Sequence, residues 1–113
     1  MAVEVIGTDE FADWYSDLDE SDKDAVDRYV GLLEAHGVAL RFPYSSALKG
    51  SRFALRELRP QSRGKPLRII YAFDPERQAV LILGADKTGM SDDRFYGIYI
   101  PKAEELWREY LLG

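Results

Sequence analysis

Residues 53–71 read FALRELRPQSRGKPLRIIY: two runs that mix apolar and basic side chains, separated by a connection containing Pro60, Gly64 and Pro66. β-branched and aromatic residues on either side of a Pro/Gly-bearing turn predict two antiparallel strands, over residues 52–58 and 67–73. A third, over 78–84, follows the tight turn Asp74-Pro75-Glu76, which completes a meander. Strand alternation puts Leu55, Glu57 and Arg59 on one face of the first strand, and Ala54, Arg56 and Leu58 on the other. On the second strand, Arg68, Ile70 and Ala72 oppose Ile69, Tyr71 and Phe73. The bulkier set is expected to face the core, so that Glu57, Arg59 and Arg68 share an open surface where aligned cations suit a phosphate.

Working toward the N-terminus, residues 2–6 alternate as a short strand, and Gly7 breaks it. Thr8 can cap a helix carrying Phe11, Trp14, Tyr15 and Leu18, with Asp9 and Glu10 suiting the dipole of its first turn. Ser21 is expected to start a second helix, 22–35, with Ala25, Val26, Tyr29, Leu32 and Leu33 as its inner stripe. His36, the sole histidine, ends it and Gly37 stops it. The two helices form a hairpin across the sheet. Residues 41–51, with Pro43, three serines and Gly50, read as irregular.

Toward the C-terminus, residues 85–99 read as a loop around Gly89 and the Asp92-Asp93 pair, with 95–100 as a further strand or an aromatic clasp. Pro101 is expected to open a final helix, 102–112, because proline is tolerated at a first helical position. Ala103, Trp107 and Leu111, with Leu106 and Tyr110, would pack it on the sheet. The whole chain, 1–113, reads as a single α+β domain with an antiparallel sheet of about four strands.

Charge is unevenly spread. Residues 1–40 hold two Lys/Arg against eleven Asp/Glu, net −9, whereas residues 41–77 hold nine against three, net +6, in a chain of net charge −5. Local field governs the attraction of a polyanion, so overall acidity does not exclude RNA. The absence of cysteine excludes disulfides, thiolate metal sites and a cysteine nucleophile. The carboxylates at Asp13, Asp17, Glu20, Asp24 and Asp27 read as solvated helix faces rather than a metal site, and no cofactor is called for. No apolar run approaches the roughly 20 residues of a membrane helix, and no signal-peptide pattern opens the chain. The expected location is the cytoplasm, with no membrane partner.

Glu57-Leu58-Arg59, a Gly-containing turn, Arg68-Ile-Ile-Tyr71, an apolar strand ending in Gly84-Ala-Asp-Lys87, and Ile100-Pro101-Lys-Ala occur in this order and spacing. This set resembles the RelE/HigB superfamily of bacterial toxins, in particular its phage-derived Gp49-like branch, from about Phe11 to Leu111. The resemblance implies the toxin of a type II toxin–antitoxin pair that cleaves mRNA on the translating ribosome. It also implies neutralisation by a helix-turn-helix, HigA-like antitoxin, with which a heterotetramer is possible. Arg59 and Arg68 would surround the scissile phosphate, with Lys87 at the end of the following strand. Many members of the branch carry paired lysines where this chain has Lys87-Thr88, and most are basic overall.

Metal-free cleavage by the ribose 2′-OH needs a proton acceptor, a proton donor, and cations for the charge that builds on phosphoryl oxygen; guanidinium suits the last task. In that scheme Arg68 is the principal transition-state stabiliser and Arg59 a phosphate positioner. Glu57, Asp86 and Lys87 are the candidate proton carriers, with Lys87 ranked first on the expectation that cations crowd it. Arg52, Arg56 and Lys65 are candidate RNA contacts, and Tyr96 and Tyr99 candidate base-stacking platforms. The alternatives are a ParE-like inhibitor of DNA gyrase on the same fold, and a non-catalytic phage-derived module that binds RNA or protein.

Overall fold

The computed structural model describes residues 2–113. The chain runs β1 (Val5–Gly7), α1 (Asp9–Ser16), α2 (Glu20–His36), a 3-10 turn at Gly37–Ala39, β2 (Ser45–Ala47), β3 (Arg56–Leu58), β4 (Gln61–Ser62), β5 (Lys65–Phe73), β6 (Ala79–Asp86) and α3 (Asp92–Leu112). The sheet order is β1-β6-β5-β3-β2, with β4 folded back on β5. All pairings are antiparallel except β1 with β6. The α+β class and the meander are as expected. The first strand, however, joins the far edge in parallel through a long crossover that no local pattern encodes.

Thr8 does cap α1, and does more. Its side-chain oxygen accepts from the N–H of Phe11 at 3.1 Å and donates to the carbonyl of Ile82 at 2.6 Å. Ile82 sits where the β5–β6 register slips by one residue, as bulges do. One hydroxyl thus ties the start of α1 to the sheet. Gly84 allows the close approach of this helix, since a Cβ there would overlap the indole of Trp14. The second helix starts two residues earlier than its apolar stripe suggests, because Asp19 rather than Ser21 supplies the cap, accepting from Asp22 N–H at 2.9 Å.

Two corrections bear on function. The face carrying Arg68, Ile70 and Ala72 was expected to be open, but α3 covers most of it. Ile70, Ala72, Val80 and Ile82 pack against Ala103 and Trp107, while Leu58, Ile69, Tyr71 and Leu81 pack beneath α1 and α2. The sheet is therefore buried on both sides along β5, and burying each such aliphatic side chain contributes about 1.5–3 kcal/mol. The second correction is that α3 begins at Asp92, capped by Ser91, so residues 92–101 are neither loop nor strand, and Pro101 lies inside the helix. The stretch 41–51 also contains the edge strand β2.

Candidate functional site

Strand register builds the site. Glu57 on β3 pairs with Ile70 on β5 and Arg68 pairs with Ala85 on β6. With a side-chain period of two, Glu57, Arg68 and Lys87 fall on one face, at the end of the sheet that the apolar half of α3 leaves uncovered. The N-terminal turns of α3 then bring Asp92 and Tyr96 over them.

Glu57 is the hub, 2% exposed. It accepts from Arg59 Nη1 at 2.8 Å, from Ser46 Oγ at 3.1 Å, and from the Tyr96 hydroxyl at 2.7 and 2.9 Å to its two oxygens. Arg68 Nε lies 3.8 Å away, beyond hydrogen-bond range. Arg68 is itself 6% exposed; its Nη1 donates to the Leu67 carbonyl at 2.9 Å. Its Nε is the one buried side-chain polar atom among the described residues with no partner. Lys87 is ion-paired to Asp92 at 2.7 Å, so an anion, not a crowd of cations, faces its ammonium.

The electrostatics follow from these contacts. The hydrogen bond and charge of Lys87 hold the Asp92 carboxyl below the usual carboxylate range, with Arg68 and Arg59 adding at longer reach. Burial, then the hydrogen bond to Glu57, pushes the Tyr96 hydroxyl up to about 12, so it is a donor throughout the neutral range. Three cations thus share two carboxylates.

A cleft of about 640 Å³ opens beside this cluster, between the loop that follows β2 and the first turns of α3. Glu57 lies where cluster and cleft meet. The loop is pinned to α3 by Glu104, which accepts from Ser51 Oγ at 2.8 Å and from Arg52 N–H at 3.0 Å. Arg59 also stacks 5.4 Å from the ring of Phe42, a 71% exposed aromatic next to the site.

Of the sequence-predicted residues, Glu57, Arg59, Arg68, Lys87 and Tyr96 come together. Arg56 points to the opposite face, donating to Ser45 Oγ and Tyr71 OH. Lys65 is on the α2 side, held by Asp22 at 2.6 Å. Asp86, paired in register with Leu67, also faces away, and its carboxylate accepts from Thr88. Arg52 is exposed at the outer end of the loop, and Tyr99 packs on Phe95 with ring centroids 4.6 Å apart. Sequence reading missed Ser46, Asp92 and Phe42. A signal for Asp92 existed, since Ser91-Asp92-Asp93 is a helix start.

Residues 13–108 match the family model described as phage-derived Gp49-like protein. Two Mycobacterium tuberculosis proteins named as toxins are similar in sequence. HigB2 is 36% identical over 100 residues, covering 87% of this chain and 49% of that protein. HigB3 is 37% identical over 99 residues, covering 87% and 84%. The chain thus spans about half the length of HigB2. Among solved structures, the E. coli toxin RelE in its free state, with two arginines changed to alanine, superposes with a TM-score of 0.63. At 11% identity over 90% of this chain and 98% of that one, the likeness shows a common fold.

Proposed function

This chain belongs to the phage-derived Gp49-like family, related to the HigB toxins and built on the RelE fold, and we propose that it is the toxin of a type II toxin–antitoxin pair, an endoribonuclease that cleaves mRNA. One observation carries the reading: a buried guanidinium, Arg68, keeps an unfilled Nε donor 3.8 Å from Glu57, the residue of the cation cluster that also lines the open cleft. Buried donors are nearly always satisfied, and a catalytic role or a bound anion is one of the explanations an exception calls for. A phosphate is the anion that fits, because its oxygens accept from forked guanidinium groups at once.

In this proposal the scissile phosphate displaces Glu57 from its arginines. Arg68 and Arg59 then neutralise the charge that grows on the phosphoryl oxygens as the 2′-OH attacks. Glu57, released, is the proton acceptor for that hydroxyl. Lys87, ion-paired and cationic, donates toward the 5′-oxygen that leaves. The resting protein holds its cations in internal pairs, so binding is an exchange of one anion for another, and cleavage is expected to weaken with salt. The proposed partners are mRNA on the ribosome and a HigA-like antitoxin, and the proposed compartment is the cytoplasm. No helix among the described residues is long and apolar enough to cross a membrane.

The test is induced expression with and without the adjacent reading frame, with mapping of mRNA 5′ ends. Growth arrest relieved by the neighbour, with new ends inside coding regions, supports the proposal. The saturation of Glu57 by three donors and of Lys87 by Asp92 favours a second reading, in which the cluster binds RNA without cutting it. Retention of RNA on the purified protein with no new ends would select that reading. Inhibition of supercoiling would select gyrase instead.

A further inference from the structure

Two residues that weaken a helix stand four apart on the cleft wall, Gly97 and Pro101. Glycine inside a helix costs about 0.5–1 kcal/mol relative to alanine, and interior proline costs about 3 kcal/mol. Packing does not ask for Gly97, since a Cβ built there meets nothing within 4 Å. What the pair does is chemical. Pro101 has no N–H to give to the carbonyl four residues back, which is that of Gly97, and Gly97 has no side chain to screen it. One turn earlier on the same face stands Asp93, exposed, at the same cleft. Its neighbour Asp92 is committed to Lys87.

This wall is therefore rich in acceptors. Opposite it stand Ala47 at the end of β2 and Leu48 and Lys49 of the loop that follows. Tyr96, its hydroxyl fixed by Glu57, provides an aromatic surface between the two, and aromatic platforms stack bases. Guanine alone among the four bases has two neighbouring donors on its Watson–Crick edge, N1–H and the 2-amino group, flanked by an acceptor, O6. A carboxylate offers two acceptor oxygens to such an edge.

Resting on the ribonuclease reading for its substrate class, we propose that the cleft is a guanine pocket for the base next to the scissile phosphate. Asp93 and the Gly97 carbonyl accept from N1–H and the 2-amino group, and Lys49 donates to O6. Because Glu57 joins cleft and cation cluster, base and phosphate of one nucleotide are read together.

The experiment is an NMR titration of the intact protein with the four nucleoside 3′-monophosphates and inosine 3′-monophosphate, beside mapping of its RNA cleavage sites. Guanosine 3′-monophosphate is expected to bind roughly ten- to a hundredfold more tightly than the adenosine, cytidine and uridine nucleotides, the usual worth of a bidentate base contact. Inosine, which lacks the 2-amino group, should lose most of that advantage. Asp93→Asn should abolish it while leaving the weak phosphate-driven binding. Gly97→Ala should bind guanosine 3′-monophosphate less well with an unchanged or raised Tm, which separates a blocked pocket from a damaged fold. Equal binding of all four nucleotides, or a preference that survives Asp93→Asn, overturns the pocket; if RNA is still cut, the ribonuclease reading stands. Selective guanine binding without cleavage upholds the pocket and overturns the enzyme.

Discussion

Replacing Arg68 by methionine separates catalysis from support. The side chain is 7% exposed, its Nε lacks a partner, and its Nη1 donates to the Leu67 carbonyl at 2.9 Å. An unsatisfied buried donor costs about 1–3 kcal/mol, and the charged hydrogen bond returns about 1.5–3 kcal/mol. Arg68→Met removes both terms and fills the space with an adaptable side chain. Glu57 keeps Arg59, Ser46 and Tyr96, so a group of two cations and one anion becomes a neutral pair. The terms cancel to within about 1 kcal/mol, or about 4 °C in Tm for a domain of this size. Cleavage should nevertheless fall on the order of a hundred- to a thousandfold. By contrast Glu57→Leu strands two cations and the Tyr96 hydroxyl and should cost about 3–5 kcal/mol. Thermal denaturation followed by circular dichroism, beside 5′-end mapping of a cleaved transcript, measures both quantities. An Arg68→Met protein that melts more than about 10 °C early is missing a structural strut. One that cuts RNA at the wild-type rate refutes the catalytic role outright.

Other outcomes follow from the same contacts. Lys65 and Ser62 hold the Asp22 carboxyl below its ordinary range, so its stability contribution is present above pH about 3.9 and is lost as pH falls through the lower folded value. Asp22→Asn should flatten that acid limb in denaturant unfolding measured from pH 5 downward. The same contact raises Lys65, so a matching loss appears only as pH climbs past about 10.4 and through the raised folded value. Tyr96, raised to about 12 by burial and Glu57, contributes stability below pH about 10 that fades toward its folded value. A phenolate absorbance titration should show a late tyrosine that disappears in Tyr96→Phe. Gly84→Ala should cost about 1–3 kcal/mol by overpacking against Trp14; Trp14→Leu in the same chain should recover part of it.

Much of this was legible where the sequence carries a local signal. Thr8 followed by two acids marks a helix start, and the alternation through Glu57 and Arg68 is enough to place both on a shared face. α3 was misread for a physical reason. Pro101 fits a first helical position so well that it hid the earlier start at Ser91, although Phe95, Tyr99, Ala103 and Trp107 recur every four residues straight across it. That one boundary removed the cleft wall and Asp92 from view, and left a sheet face looking open. The pairing of β1 with β6 was beyond reach for a different reason: parallel register is set by a crossover and not by any turn.

The placement of Tyr96 and Asp92 on the last helix also sets a clock. Ribosomes extend chains at roughly 5–20 residues per second, so the stretch of about 37 residues from Arg59 to Tyr96 takes about two to seven seconds to make. Within that interval the chain gains Arg68 and then Lys87 before it has the cleft wall or Asp92, the anion that pairs with Lys87. The site is complete only once the first half of α3, through Pro101, has folded onto the sheet, and under the proposed function that interval is the time an inhibitor made alongside has to meet the chain.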